Sequence, residues 1–170
     1  MEAFSYSIHR SPVGPLTIVV SAAGLLRLGL PLTDSQPSLR ETLRGLASVS
    51  ESEDATRTTV TELEQYFAGQ RRLFTLPLDL RGTDFQKRCW RALLDIPYGQ
   101  TRTYADIARA VGSPSGFRAV GMANHDNPIP IVVPCHRVVA SDGTLGGYGG
   151  GLGMKRQLLQ LEAAQAAEIL

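Results

Sequence analysis

The sequence predicts a mixed α+β (α/β) fold in two domains: a small antiparallel sheet with a helix, then a mostly helical domain that contains a helix-turn-helix. Strand-like apolar runs are concentrated before Pro31, and helical periodicity dominates from Thr83 onward. The 170 residues, 43% hydrophobic and 19% charged, suffice to bury a core. Arg81-Gly82 is the predicted junction, which gives domains 1–82 and 83–170.

Three short strands and one helix are predicted in the first domain. Turns rich in Gly and Pro separate the strands, which cover residues 4–8, 16–21 and 25–30. Residues 31–55 are polar and weakly patterned, so we expect a loop with room for one helix around Leu39–Leu46. Apolar residues at helical spacing between Val60 and Phe67 predict a helix that Gly69 ends, and residues 74–80 are predicted to be a strand or an extended segment.

The second domain begins with an apolar stripe typical of a helix that starts near Thr83. Thr103 opens another helix, with Asp106 as its capping-box partner. A third helix is predicted over residues 115–124, with Ser113-Pro114 as its N-cap and first residue. Helix, Gly-containing turn and helix together form a helix-turn-helix pattern. There follow an apolar extended stretch, a glycine-rich loop and an amphipathic helix, over residues 129–140, 146–153 and 154–169.

Charge and cysteine usage limit the class of protein. The net charge is only +1, but residues 85–118 hold six basic and two acidic side chains, which fits either phosphate contact or a solvated helix face. No apolar run is long enough for a membrane helix and no secretory leader is evident, so we expect no membrane contact and a cytoplasmic, nucleoid-associated location (nuclear in a eukaryote). Two cysteines without CxxC or HxxxH spacing predict free thiols and no bound metal.

Cys135 lies in the run Pro134-Cys135-His136-Arg137-Val138, between apolar residues that predict a buried turn. A thiol becomes a strong nucleophile as the thiolate, which a neighbouring base can generate, and that base needs a partner on its other ring nitrogen. Glu162 on the last helix is a candidate partner. A free cysteine is also often a small buried hydrophobe, and the motif alone leaves both interpretations open.

Two further segments have both a structural and a functional interpretation. The helix over residues 115–124 is rich in Gly and Ala and carries one long cation, Arg118. It therefore either packs closely against another helix or enters a DNA groove. The segment Gly147–Gly151 either links to the last helix or lets its backbone approach a ligand, and it lacks the Lys-Ser/Thr of a phosphate loop.

Five groups of residues in the second half belong together: Ile96-Pro97-Tyr98-Gly99, Thr103-Tyr104 with Ile107-Ala108, Arg118-Ala119-Val120-Gly121, Asn124 with Asn127-Pro128, and Pro134-Cys135-His136-Arg137-Val138. They closely resemble the motifs of the O6-alkylguanine-DNA alkyltransferases, or methylated-DNA–protein-cysteine methyltransferases. Residues 83–162 of this chain are similar to the active domain of that family nearly throughout. Ser11–Leu16 and Tyr66–Gly69 resemble the family's more variable, ribonuclease-H-like N-terminal domain. The resemblance therefore spans almost the whole chain.

This resemblance implies repair of DNA by direct reversal. One alkyl group would move, stoichiometrically and irreversibly, from O6-alkylguanine in double-stranded DNA to Cys135, and less well from O4-alkylthymine. His136 would act as the base through a bound water, and Glu162 would hold the imidazole. The product is a thioether, so the resemblance implies a single turnover without any cofactor.

The other implied roles concern DNA and the base pocket. Arg118 would fill the gap left by a guanine that is flipped out from the minor-groove side, and Tyr104 would rotate the phosphate and donate a proton to the departing guanine. Asn127 would order the turn before the cysteine. The resemblance implies further DNA contacts for Ala119, Gly121 and Arg102. It also implies that the base pocket is lined by Pro130, Val138, Tyr148 and Gly149, which enclose the base or contact its edge.

The sequence departs from the family pattern at two positions. Cys89 stands where an aliphatic residue is usual before the helix tryptophan, and we interpret it as core packing. Gly149 stands where some relatives have a serine, and glycine keeps the backbone NH that contacts the lesion. No zinc-binding set and no appended regulatory domain match, so we expect a stand-alone, monomeric protein, with cooperative binding to DNA left open.

Three rival functions make different demands on the sequence. A non-catalytic, lesion-binding alkyltransferase-like protein would lack the acceptor cysteine, which is present here as Cys135. A Cys-His hydrolase would need an oxyanion hole, which nothing in the helix-turn-helix half provides. A transcription factor that reads the major groove would need polar side chains on residues 115–124, where Gly and Ala dominate.

Overall fold

The computed structural model describes residues 1–167, which divide into two compact units on either side of the Leu80–Arg81 bond. The first unit is built on a sheet and the second is mostly helical, so the predicted mixed α+β class is confirmed. Within residues 1–167, no helix combines the length and the apolar character needed to cross a membrane.

A four-stranded sheet forms the first unit. Its strands are β1 (Phe4–Ser11), β2 (Gly14–Ser21), β3 (Gly24–Gly29) and β4 (Val49–Glu51), in the order β3-β2-β1-β4. The first three strands pair antiparallel as a meander, as the turn residues predicted, whereas β4 pairs parallel with β1. The stretch that contains β4 was expected to be a loop with at most one helix. A strand of three residues at a sheet edge offers too short a pattern to be recognised in the sequence.

Two helices accompany the sheet. The first, α1 (Leu39–Thr42), is a single turn within the region expected to hold one helix. The second, α2 (Arg57–Phe67), ends as predicted at Gly69, which adopts a φ of +74°. Leu63 and Tyr66 face the core from α2 and are fully buried.

Residues 74–80, predicted to be a strand or an extended segment, form no strand and make a single isolated parallel bridge, Leu25 to Leu78. The amide of Leu25 donates to Pro77 O (2.9 Å) and the amide of Asp79 to Leu25 O (2.8 Å). Pro77 has no N–H, so the ladder cannot continue through it. The segment crosses so close to β3 that a Cβ on Gly24 would lie 2.4 Å from Pro77 O.

Four helices and a two-stranded parallel ribbon make up the second unit. The helices are α3 (Asp84–Leu94), α4 (Tyr104–Ala110), α5 (Phe117–His125) and α6 (Leu152–Ala167), and the ribbon pairs β5 (Arg102–Thr103) with β6 (Val138–Val139). Both α3 and α4 begin with a capping box, the latter formed by Thr103 and Asp106 as predicted. The ribbon strands, of two residues each, were not predicted.

The helix-turn-helix is formed by α4 and α5, but α5 begins later than predicted. Ser113 is not its N-cap: Gly116 takes that position, and no side chain caps the helix. Residues 113–116 instead form a tight turn closed by a hydrogen bond from the Gly116 amide to Ser113 O (2.8 Å). Pro114 suits the second position of this β-turn as well as it suits the first position of a helix, and here the chain adopts the β-turn.

Contacts with α3 hold α5 in place. Trp90 on α3 is fully buried, and its indole N–H donates to Ala123 O (2.9 Å). Val120 and Ala123 supply the buried side of α5. The last helix, α6, begins two residues before the predicted start, and the end predicted for it at Ile169 lies outside the described residues.

Candidate active site

Cys135 opens a short 3-10 helix, Cys135–Arg137, that leads directly into β6. The thiol is nearly buried, with 7% of the residue exposed. The chain reaches it through a tight turn in which Ile131 has a φ of +73°. A β-branched residue rarely adopts this conformation, and it persists only where the surroundings enforce it.

Asn127 provides that enforcement. Its side-chain amide donates to Val133 O (2.8 Å), and its Oδ1 accepts from the Ile129 amide (2.9 Å). One buried side chain thus ties together the two ends of the turn around Ile131. Asn127 also hydrogen-bonds the Cys135 side chain, so it links the strained turn to the thiol.

His136 and Glu162 form a buried pair, with Nε2 of the imidazole 2.6 Å from Oε2 of the carboxylate. A carboxylate only accepts hydrogen bonds, so Nε2 must carry the proton and Nδ1 of the neutral ring carries the lone pair. Nδ1 is buried and makes no hydrogen bond to any other protein atom in residues 1–167. The pair therefore presents one unoccupied basic nitrogen next to Cys135 in the chain.

Arg137 shares the same carboxylate from its other side. Its Nε lies 2.7 Å from Oε1 of Glu162, and its Nη1 donates to Ile96 O at 2.7 Å. The guanidinium also stacks over the ring of Tyr98, at 5.6 Å from the centroid. Burial opposes ionisation of Glu162, but its hydrogen bonds with His136 and Arg137 and the charge of Arg137 outweigh it and lower its pKa to about 2.

Burial keeps both reactive groups neutral at rest. It raises the pKa of the Cys135 thiol, against the smaller opposing effects of the Asn127 hydrogen bond and the Lys155 charge. It also lowers the pKa of His136, against the hydrogen bond to Glu162. The resting pair at neutral pH is thus a thiol and a neutral imidazole, so the thiolate has to be generated when a substrate arrives.

Lys155 on α6 is a buried cation that binds three carbonyl oxygens. Its Nζ lies 2.6 Å from Val138 O and 3.1 Å from Gly147 O, and it also binds Leu145 O. It therefore ties the glycine-rich loop to β6, directly after the cysteine. The Nζ lies 6.0 Å from the centroid of the Tyr104 ring, and its charge favours the thiolate of Cys135.

Two tyrosines flank the thiol. The hydroxyl of Tyr104 hydrogen-bonds the backbone of Gly147, and burial is the main reason that its pKa is raised. Tyr148 has a buried hydroxyl without a hydrogen-bond partner in residues 1–167, and burial and the nearby charges of Cys135 and Glu162 raise its pKa well above the usual value. Both phenols are therefore protonated at neutral pH and able to donate.

The small residues of α5 divide between two faces. Ala123 is buried and packs inward, which matches the structural interpretation of the Gly/Ala pattern. Arg118 and Ala119 are exposed, and Gly121 has open space where a Cβ would stand. Arg102 lies on β5, where its guanidinium hydrogen-bonds Thr101 O and the Gln100 side chain.

Comparison with known proteins matches both units to one family. Residues 4–80 match the ribonuclease-like domain of 6-O-methylguanine DNA methyltransferase, and residues 84–164 match its DNA binding domain. The chain belongs to the 6-O-methylguanine DNA methyltransferase family. The resemblance inferred from the motifs is thereby confirmed.

Relatives from distant organisms match over nearly their whole length. The methylated-DNA–protein-cysteine methyltransferase of Mycobacterium tuberculosis is 47% identical over 161 residues, covering 95% of this chain and 93% of the relative. That of Methanosarcina barkeri is 44% identical over 157 residues, covering 92% and 96%. The crystal structure of Mycobacterium tuberculosis OGT in complex with DNA superposes with a TM-score of 0.85 at 44% identity, covering 95% of this chain and 94% of that one.

Within this methyltransferase family fold, most of the predicted site residues converge. Six of them are joined to the thiol or to the Glu162 carboxylate by hydrogen bonds or electrostatic interactions. These six residues are Cys135, His136, Glu162, Asn127, Tyr104 and Tyr148. Pro130 and Val138 are buried beside them in the chain, and the Val138 carbonyl is bound by Lys155. Gly149 is exposed in the loop. Arg118, Ala119 and Gly121 lie on the outer side of α5, whereas Arg102 lies on β5, hydrogen-bonded to Thr101 O and the Gln100 side chain.

Sequence reasoning missed Lys155 and gave no role to Arg137. A signal for Lys155 was present, because Lys155, Leu158 and Glu162 follow the spacing of a buried helical stripe. Two charged residues on the buried face of a helix rarely serve packing alone. Residues 1–167 contain no cluster of His, Cys, Asp and Glu that fits a metal ion.

Proposed function

We propose that this protein repairs alkylated DNA by direct reversal and that Sγ of Cys135 takes the alkyl group from O6 of guanine. Membership of the family makes it a methylated-DNA–[protein]-cysteine S-methyltransferase. The observation that carries the assignment of Cys135 is a buried thiol followed in the chain by a buried imidazole, whose Nε2 is held by Glu162 and whose Nδ1 has no hydrogen-bond partner in residues 1–167. The thioether product is stable, so each molecule acts once.

His136 is the base in this mechanism. Nδ1 accepts the thiol proton, directly or through one water, as the alkylguanine enters and the thiolate forms. Glu162 accepts from Nε2 in the hydrogen bond of 2.6 Å and stabilises the imidazolium that results. Arg137 keeps the Glu162 carboxylate ionised throughout, which preserves the tautomer of His136.

The transfer is an in-line displacement at the alkyl carbon. A sulfur lone pair forms the new S–C bond, the C–O6 bond breaks, and its electron pair passes to the guanine ring. Guanine leaves more easily when it gains a proton, which the phenol of Tyr104 donates. Both electrons of the new bond come from sulfur and the proton comes from a side chain, so the reaction needs no cofactor.

The substrate is double-stranded DNA that carries O6-alkylguanine. The O6 substituent lies inside the base stack, so the guanine must be flipped out before the thiol reaches it. The helix-turn-helix of α4 and α5 binds from the minor-groove side, where low sequence specificity suits damage in any sequence, and Arg118 fills the gap. O4-alkylthymine presents a similar C–O bond and is proposed as a weaker substrate.

The remaining proposals concern the cellular setting. We propose that the protein works as a monomer in the compartment that holds the chromosome, which is the cytoplasm, or the nucleus in a eukaryote. Its affinity for DNA falls as salt is added, because phosphate contacts release counterions. The small net charge of +1 predicts a modest slope.

The decisive test is mass spectrometry of the protein after mixing with a duplex that contains O6-methylguanine. We expect one methyl group per molecule, located on the peptide of Cys135, with a plateau at one equivalent of DNA. C135S is expected to accept no methyl group and still to bind the duplex. C89S is the matched control, because Cys89 is equally free and buried but lies on α3 within the core.

Other outcomes of this experiment would contradict the proposal. Methyl transfer to C135S, or a methyl group found on Cys89, would remove Cys135 as the acceptor. An unmodified wild-type protein that binds the damaged duplex would indicate a lesion sensor.

A further inference from the structure

The outer face of α5 carries two large apolar side chains in contact with solvent. Phe117 is 49% exposed and Met122 is 60% exposed, while Val120 and Ala123 occupy the buried side. At 3.6 residues per turn, Phe117 and Met122 lie about 100° and about 40° from Arg118, on opposite sides of it. Large apolar groups kept in water on both sides of a cation mark an interaction surface.

Phe117 also forms one wall of a groove of about 480 Å³. The other residues that line it are Tyr104, Ala105, Gly121, Ala140 and Ser141. Among the described residues, nothing apart from the adjacent residues and the helix's own backbone lies within 4 Å of the position that a Cβ on Gly121 would take, so the groove stays open one helical turn from Phe117. Tyr104 joins the groove to the active site, because its hydroxyl hydrogen-bonds Gly147 and lies within electrostatic reach of Cys135.

The occupant of this face is a DNA minor groove, an inference that rests on the proposed function. The exposed residues of α5 include a cation and no carboxylate; they are Phe117, Arg118, Ala119, Met122 and His125. This charge suits a polyanion. Proteins that open a duplex from the minor groove commonly insert Phe, Leu or Met between base steps, and they gain apolar contact that offsets the lost stacking.

We propose that Phe117 is an apolar wedge that packs against the deoxyribose and the base step on the active-site side of Arg118 while guanine is extruded. Arg118 supplies charge and length at the vacated position. Phe117 supplies the apolar area that a guanidinium lacks, and Met122 covers the neighbouring sugar on the other side. The wedge therefore lowers the cost of holding the guanine outside the stack and takes no part in the chemistry at sulfur.

The test compares F117A with wild type on two substrates, a duplex with O6-methylguanine and free O6-benzylguanine. L94A is the matched control, because Leu94 is a 39% exposed apolar residue on α3. F117Y keeps the ring and reports whether the ring itself matters. A third substrate places O6-methylguanine in a mismatch or opposite an abasic site, where extrusion is already cheaper.

We expect F117A to lose about tenfold in second-order rate on the paired duplex, the scale of one aromatic–base contact. We expect the rate with free O6-benzylguanine to stay unchanged, F117Y to recover the duplex rate, and the loss to shrink on the weakened duplex. The salt dependence of DNA binding should not change, because no charge is removed. Thermal melting of F117A and L94A establishes that both are folded.

Four results would contradict the proposed role of Phe117 as a wedge. Equal duplex rates for F117A and L94A would show that the Phe117 ring does not contribute to repair of the duplex. An equal loss on the free base would place the defect in the active site. A loss that does not shrink on the weakened duplex would indicate simple binding. Self-association that F117A abolishes without a change in duplex rate would assign the face to a second copy of the chain. If wild type reacts with neither substrate, the proposed function itself fails.

Discussion

Replacing Glu162 by glutamine tests whether one buried carboxylate orients the base and stabilises the second unit at the same time. Glu162 accepts hydrogen bonds from His136 and from two nitrogens of Arg137, at 2.6, 2.7 and 3.2 Å. The amide of E162Q has the same shape, but only its oxygen accepts. The variant therefore leaves the buried Arg137 guanidinium without a counter-charge.

The loss of stability expected for E162Q follows from the pKa of Glu162. It falls from an ordinary 4.5 to about 2, and each unit of difference between folded and unfolded states is worth about 1.4 kcal/mol. The ionised carboxylate thus contributes about 3 kcal/mol to the free energy of unfolding at neutral pH. For a chain of this size that corresponds to a change in Tm of about 6–12 °C.

The sign of the pH dependence is set by the depressed pKa. The contribution of Glu162 is fully present above pH 4.5, the value in the unfolded chain, and is lost as the pH falls toward 2. Urea unfolding of wild type should show this loss, and E162Q, which has nothing to titrate there, should lack it. E53Q is the control, because Glu53 is exposed and the change should cost less than about 0.5 kcal/mol.

The same variant should lose activity beyond its loss of stability. Without the carboxylate the His136 tautomer is no longer selected, and repair should slow by about 10²-fold or more, the usual contribution of a positioned base. The reasoning would be refuted if E162Q unfolded within about 1 kcal/mol of wild type at neutral pH. It would also fail if both proteins lost equal stability in acid.

Two other substitutions follow from the structure. K155M removes the cation that favours the Cys135 thiolate and that binds the carbonyls of Val138, Leu145 and Gly147. The pH midpoint of thiol alkylation by a small neutral reagent should therefore rise, with about a tenfold slower reaction at neutral pH for each unit of rise. An unchanged midpoint would contradict the electrostatic role of Lys155. G24A should destabilise the first unit by about 2 kcal/mol or more, because φ is +145° and a Cβ would lie 2.4 Å from Pro77 O. G45A is its control in urea unfolding, because Gly45 also has a positive φ but has open space where a Cβ would stand. Equal losses in the two variants would show that the close approach to Pro77 costs nothing.

The parts of the fold predicted correctly are those in which local chemistry has a single solution. The capping boxes at Thr83 and Thr103 set the starts of α3 and α4, and positive φ at Gly69 ends α2. The failures lie where two local solutions compete or where pairing is distant. Residues 113–116 suit a turn and a helix start equally, and β4 becomes a strand only because β1 lies beside it.

For the candidate site, the residues that carry the chemistry can be recognised from local motifs alone. The run from Pro134 to Val138, with its companion motifs, is enough to identify the family, the thiol and its neighbouring base, because these residues are contiguous and their chemistry is rare. The sequence also places Arg118 among small residues, a pattern that a helix meeting DNA shares with a helix meeting another helix.

The protonation and the partners of these groups depend on contacts that form only when the chain folds. Glu162 meets His136 across 26 positions of sequence, and Arg137 and Lys155 approach the same site from the 3-10 helix and from α6. Burial then makes the resting pair a thiol and a neutral imidazole, where the sequence alone allowed a thiolate. Protonation depends on solvent exclusion and on charges within a few ångströms, and these are properties of the packed chain that no local pattern encodes.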